Sequence, residues 1–156
     1  MINFKEAALA DHLIIRELAA QELPRAFPIV SQLRPHLTPQ NFAALVTTMR
    51  KTGYQTLALF KNQQITSYAG LAICTNLNNG RHIWIYDLVT DQASRGKGYG
   101  KLLLYYIQQH ATENDIRTIA LSSGLHRPQA HKFYENTAGC KKVSYVYKKD
   151  LYSQSV

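Results

Sequence analysis

Two cysteines, Cys74 and Cys140, are all that the 156-residue chain carries, too few for a disulfide framework or a four-ligand metal site. They read as reduced thiols, which makes a cytoplasmic setting the expectation. The longest unbroken apolar stretch, Tyr68 to Cys74, falls far short of the roughly 18 residues a membrane span requires, so no membrane partner is expected. Met1 to Lys5 lack the charged-then-apolar order of a secretory signal. Six histidines occur, at His12, His36, His82, His110, His126 and His131, but no His-Glu-x-x-His or other metal-ligand spacing joins them, and no metal is expected. No repeat, low-complexity tract or linker divides the sequence, so residues 1–156 read as one domain, with 1–11 a loose lead-in. Acids are also scarce, 10 Asp and Glu against 18 Lys and Arg, for a net charge of +8. Such a balance favours anionic partners without saying which.

What is present, 46% apolar residues in one domain-sized length, is enough to bury a core. Leu13 to Leu18 reads as a first strand. Glu22 to Arg34 places Leu23, Phe27, Val30 and Leu33 at helical spacing before Pro35 ends it. A second helix starts with Thr38 as N-cap and Pro39 at its first position, and Gly53 closes it. The period then changes to strands over Tyr54–Phe60, Ile65–Cys74 (with Gly70 as a bulge) and His82–Val89, separated by polar turns. A glycine-rich loop leads into an apolar helix from Gly98 to about Glu113. Ile116–Leu121 reads as a buried strand, Pro128–Asn136 as a helix and Lys141–Lys149 as a last alternating strand. The sum is a mixed α/β fold: an antiparallel meander, then strand, helix, strand, helix, strand.

The richest segment is Asp91-Gln92-Ala93-Ser94-Arg95-Gly96-Lys97-Gly98-Tyr99-Gly100-Lys101. Glycines let the backbone approach a ligand closely. The unpaired N–H groups of the following helix's first turn then favour an anion. Arg95, Lys97 and Lys101 add charge suited to a pyrophosphate. No Gly-Lys-Ser/Thr ends the loop, so it is not a Walker loop, and Gly96-x-Gly98-x-Gly100 lacks the Rossmann spacing. Most other basic residues stand singly (Arg16, Arg25, Arg34, Lys61, Arg81, Arg117), which argues against a nucleic-acid-binding face.

Arg95-x-x-Gly98-x-Gly100, preceded by Asp87-Leu88-Val89-Thr90-Asp91, resembles the acyl-CoA-binding motif of the GNAT superfamily of N-acetyltransferases. The segment from Ser122 to Glu135, with Ala130 and Tyr134 as an Ala-x-x-x-Tyr core, resembles that family's second motif. The resemblance implies a mostly antiparallel sheet flanked by helices, arranged strand-helix-helix-three strands-helix-strand-helix-strand. It also implies acetyl-CoA as donor, a primary amine of a small molecule or peptide as acceptor, and direct attack in a ternary complex. Backbone groups of Leu88, Val89 and Thr90 would pair with the pantetheine amides, one N–H there would polarise the thioester carbonyl, and Arg95 through Lys101 (Arg95, Gly96, Lys97, Gly98, Tyr99, Gly100, Lys101) would hold the pyrophosphate.

Tyr134 matches the tyrosine that protonates the departing CoA sulfur. Asp87 is either the base that accepts the ammonium proton, directly or through water, or a structural anchor of the bulge. Tyr86 matches another position in that stretch where acids occur. Two departures stand out. Arg127, a candidate for the coenzyme, replaces the Asn that often stands three residues before the Ala. Four residues rather than three separate Tyr134 from Gly139-Cys140. His126 and His131 flank this motif. Dimers are frequent in the family. A CoA-binding protein without turnover is the alternative within the same fold.

Overall fold

The computed structural model describes residues 1–10 and 12–152 and divides the chain into two compact units, Met1–Leu121 and Ser122–Val156. The first unit holds a six-stranded sheet in the order β1 (Ala7–Leu9), β2 (Leu13–Glu17), β3 (Gln55–Lys61), β4 (Gln64–Asn76), β5 (Gly80–Thr90) and β6 (Ile119–Leu121). All neighbours pair antiparallel except β5 and β6, which run parallel. Helices α1 (Leu23–Leu33) and α2 (Pro39–Arg50) connect β2 to β3, and α3 (Tyr99–Glu113) connects β5 to β6. Mixed α/β architecture with a mostly antiparallel sheet is therefore what the sequence specifies.

The sheet is covered on both faces, which is why β3 reads as one apolar run. Ala58 and Phe60 of β3, with Tyr68 and Val89, form a buried cluster with Ala26, Ile29 and Val30 of α1 and Phe42 and Val46 of α2. The alternate residues Leu57 and Leu59 are also fully buried, and by strand period they face the other side, where α3 packs. The start of α2 follows the expected chemistry: the Thr38 hydroxyl accepts the Asn41 N–H at 3.1 Å.

Three expectations need correction. Residues 1–10 are no loose lead-in. Ala7–Leu9 pairs with β2, Ile2 and Phe4 are buried, and the buried Gln55 amide holds both backbone groups of Ile2 at 3.1 and 2.8 Å. A three-residue edge strand leaves too short a hydrophobic pattern to read. The extra residue of the bulge lies not at Gly70 but on the facing strand: Gly70 pairs with Asp87 and Leu71 with Ile85, so Tyr86 is left over. Glycine at 70 has another cause. A Cβ there would collide with the Tyr54 hydroxyl and ring.

The third correction lies in the second unit, where Lys141–Lys149 forms no strand. Alternation supplies strand propensity, but a strand exists only with a hydrogen-bonded partner. Val143, Tyr145 and Tyr147 stay exposed. The same unit carries α4 (Pro128–Lys132), which continues as a π-helical turn over Phe133–Thr137. There the Ala138 N–H reaches back to the Phe133 carbonyl at 2.9 Å, and the Cys140 N–H to the Tyr134 carbonyl at 2.8 Å, with Gly139 at φ +69°. A π turn takes one residue more than an α turn, so it absorbs the additional residue between Tyr134 and Gly139.

Candidate functional site

Strand β5 changes character at its bulge. Over Ile83–Ile85 it has neighbours on both edges, β4 on one side and β6 on the other. β6 ends at the register of Ile85, so Asp87 to Thr90 keep only the β4 ladder. Backbone groups on the opposite edge of this stretch have no strand partner and need another, which the Thr90 carbonyl finds in Arg95 Nε at 3.1 Å.

The bulge is held by side chains of residues far away in sequence. Arg34, at the end of α1, donates from Nε to Asp87 Oδ1 at 2.9 Å and from Nη2 to the Tyr86 carbonyl at 3.0 Å. The other Asp87 oxygen accepts the Tyr54 hydroxyl at 3.0 Å, and Tyr54 and Tyr68 share a hydrogen bond of 3.0 Å. With the Tyr54 proton committed to the carboxylate, the Tyr68 hydroxyl is the donor to Tyr54. Burial, then the neighbouring Tyr68 and Asp87, push the Tyr54 phenol well above its ordinary pKa of 10.0. Burial also raises Tyr68. Both hydroxyls are therefore neutral donors around neutral pH. Tyr86 is raised by burial and by Cys74, whose sulfur lies 4.0 Å from its hydroxyl.

The loop after β5 has the geometry of an anion site. Gly96 and Gly98 sit at φ +78° and +80°, a left-handed conformation that side chains disfavour. Gly98 is the N-cap of α3, no side chain caps the helix, and the first bond of the ladder is Leu102 N–H to the Gly98 carbonyl at 3.0 Å. The N–H groups of Tyr99, Gly100 and Lys101 thus lack intrahelical acceptors. Arg95, Lys97 and Lys101 are exposed, and among the described residues none lies within salt-bridge distance of a carboxylate. Arg95 Nε is tied to the Thr90 carbonyl at 3.1 Å, which folds the loop back on its strand. Tyr99 is buried and anchors the first turn.

In the second unit Tyr134 lies in the π turn, and its phenol is raised mainly by burial, against the lowering effect of Arg127. Arg127 is the N-cap residue of α4. His131 bonds the Gly124 carbonyl at 2.8 Å, so one ring nitrogen serves the local fold. The His126 ring covers Gly124, where a Cβ would stand 2.7 Å from its Cε1. Among the described residues no group of three or more His, Cys, Asp or Glu could hold a metal ion, and no helix is long and apolar enough to cross a membrane.

Sequence reasoning missed Arg34, Gln32, Tyr54 and Tyr68. No local pattern joins them, because register and helix packing alone bring them to Asp87 and Asp91. The one usable signal was Asp87 itself, a carboxylate in a strand of apolar neighbours that needs a partner.

The sheet, whose bulged strand runs through a cationic glycine loop into an uncapped helix, places a corner that favours an anion at the start of α3 in a mixed α/β fold. The chain belongs to the acetyltransferase (GNAT) family, whose model matches residues 15–140. It is 36% identical over 132 residues to the uncharacterized N-acetyltransferase YhdJ of Bacillus subtilis, covering 84% of this chain and 93% of that protein. Its fold matches the aminoglycoside N-acetyltransferase AAC(6')-Iy in complex with CoA, with TM-score 0.79 at 13% identity over 93% of this chain and 99% of the other. Glucosamine-6-phosphate N-acetyltransferase from Arabidopsis thaliana matches with TM-score 0.69 at 19% identity over 89% and 98%. The chain is thus an acetyltransferase of a family that uses acetyl-CoA.

Proposed function

We propose that this chain moves the acetyl group of acetyl-CoA to a primary amine of a small molecule or peptide, by direct attack within a ternary complex. The observation that carries this reading is the strand edge left without a strand partner beyond the bulge, followed by the uncapped first turn of α3. A strand edge free after the bulge suits the pantetheine amides, and the uncapped start of α3 with its three cations suits the pyrophosphate. Arg95, Gly96, Lys97, Gly98, Tyr99, Gly100 and Lys101 hold the pyrophosphate, and Arg127 adds a further cation for the coenzyme. The family model crosses the boundary between the two units, which supports reading 1–156 as a single acetyltransferase domain. The free thiols of Cys74 and Cys140 fit a reducing, cytoplasmic setting.

The neutral amine attacks the thioester carbonyl carbon, and a backbone N–H of Leu88 to Thr90 stabilises the oxyanion. The C–S bond then breaks, and the thiolate takes the proton of Tyr134. A phenol raised above 10.0 by burial is fully protonated at neutral pH and available as that acid. Of the two roles open to Asp87, both oxygens being engaged supports the anchor, with the amine proton passing to water. Holding amine and thioester in attack geometry supplies much of the rate.

The test is calorimetry with acetyl-CoA followed by a turnover screen over an amine panel. Micromolar binding with thiol release on at least one amine is expected. Absence of binding refutes the reading, and binding without turnover on any amine points to a coenzyme-binding protein instead.

A further inference from the structure

Helix α1 ends on two side chains that reach out of it. Gln32 Nε2 donates to Asp91 Oδ1 at 2.7 Å, while its Oε1 accepts the Gln92 N–H at 2.9 Å. Two positions on, Arg34 makes its pair of bonds to Asp87 at 2.9 Å and to the Tyr86 carbonyl at 3.0 Å. All four bonds land within residues 86–92, where the strand bulges and the glycine loop begins. A bulge removes its extra residue from the ladder, so the freed backbone groups need other partners. Arg34 gives the Tyr86 carbonyl its donor. Only a planar guanidinium can send two fixed, divergent N–H vectors to a carboxylate and a carbonyl at once, and an ammonium on a flexible stem cannot. Tyr54 grips the second Asp87 oxygen at 3.0 Å, which stops the carboxylate from turning away.

We infer that the last turn of α1 is a positioning clasp for the coenzyme strand, in which Arg34 sets the bulge, Gln32 sets the start of the loop, and Asp87 is the counter-ion of Arg34. This rests on the acetyl-CoA reading above. Neither Arg34 nor Gln32 touches the reacting atoms. They fix the direction of the Leu88–Thr90 amides and the entry angle of the loop, so loosening them costs affinity for the donor before it costs stability.

The experiment uses the full chain and two conservative variants, Arg34→Lys, which keeps the charge, and Gln32→Met, which keeps the volume. Acetyl-CoA affinity is read by calorimetry, thermal midpoints by circular dichroism, and the backbone amides of Leu88, Val89 and Thr90 by nitrogen-15 spectra of the free protein. Arg34→Lys is expected to weaken binding about tenfold and Gln32→Met about threefold, each shifting those three amides. A wild-type chain that binds no acetyl-CoA sinks the functional reading, and the amide shifts of the variants then still test the clasp. Wild-type binding with both variants within twofold of it and the three amides unmoved overturns the clasp. A lowered thermal midpoint at wild-type affinity overturns it equally, since that marks a merely structural pair.

Discussion

Substituting Gly70 by alanine tests the packing on which the Asp87 arrangement depends. An ideal Cβ at 70 meets the Tyr54 hydroxyl and ring, with Cε2 at 2.8 Å, closer than real Cβ atoms come to anything. The ring has little room to yield, since Tyr54 is 4% exposed and its hydroxyl is bonded to Tyr68 and Asp87, both at 3.0 Å. Overpacking a filled interior costs about 1–3 kcal/mol. If Tyr54 retreats, the bond to a carboxylate goes too, for about 1.5–3 kcal/mol more. The expected loss for Gly70→Ala is therefore about 3–5 kcal/mol, a large part of the stability of a small domain. With a urea dependence of about 2 kcal/mol per molar, the midpoint should fall by about 2 M. The same substitution in a Tyr54→Phe background should cost at least about 1 kcal/mol less, because the nearest atom of the collision is gone. A Gly70→Ala midpoint within about 0.3 M of wild type, or costs that simply add, would refute the reasoning.

Further outcomes follow from the same structure. Reversing charge with Arg95→Glu or Lys97→Glu should weaken acetyl-CoA binding roughly tenfold or more, an effect that shrinks as salt rises in calorimetric titrations. Tyr134→Phe should lower kcat by about 100-fold or more on any amine the enzyme accepts. Because the phenol is shifted upward, its neutral, donating form persists below its raised pKa, so the wild-type basic limb should lie above pH 10.0 in a kcat profile. Glu22, bonded to Arg16 at 2.7 and 2.8 Å, has its carboxyl lowered from 4.5 to about 2, chiefly by that hydrogen bond. A depressed acid stabilises the fold above its unfolded pKa and stops doing so as pH falls through the folded value. Glu22→Gln should therefore cost about 1–2 kcal/mol near neutral pH, and the gap to wild type should close between pH 4.5 and about 2 in urea titrations.

How much of this could be read from the chain alone varied with the range of the interaction. The glycine loop was legible because its causes are local: positive φ at Gly96 and Gly98, a strand before and an apolar helix after. The N-cap at Thr38 was legible for the same reason. The bulge was half legible. Glycine in a strand signalled the bulge, but which of the two strands carries the extra residue, and the Tyr54 hydroxyl that leaves no room for a Cβ at 70, depended on register and packing. Arg34 looked like one more scattered cation, because what distinguishes it is the end of a helix lying against β5. Alternation over Lys141–Lys149 read as a strand, since periodicity records which face a side chain prefers and not whether a partner strand is there. The extra residue after Tyr134 was visible as a departure in spacing. The π turn that absorbs it was not, because helix type is set by hydrogen-bond choice along one turn.

The polar groups around the bulge also explain why a core so rich in apolar residues tolerates an ion pair at its edge. A carboxylate with 15% of its side chain exposed is costly to desolvate, and a single partner would not offset that cost. Asp87 has two, a guanidinium and a phenol, and the guanidinium at the same time satisfies a carbonyl that the bulge has taken out of the ladder. Removing Asp87 would leave Arg34 and Tyr54 seeking acceptors, and straightening the strand would bring the Tyr86 carbonyl back into a ladder that has no room for it. The bulge, the arginine, the tyrosine and the glycine at 70 therefore stand or fall together. Such interdependence is expected where a strand must keep one edge open instead of closing it with another strand.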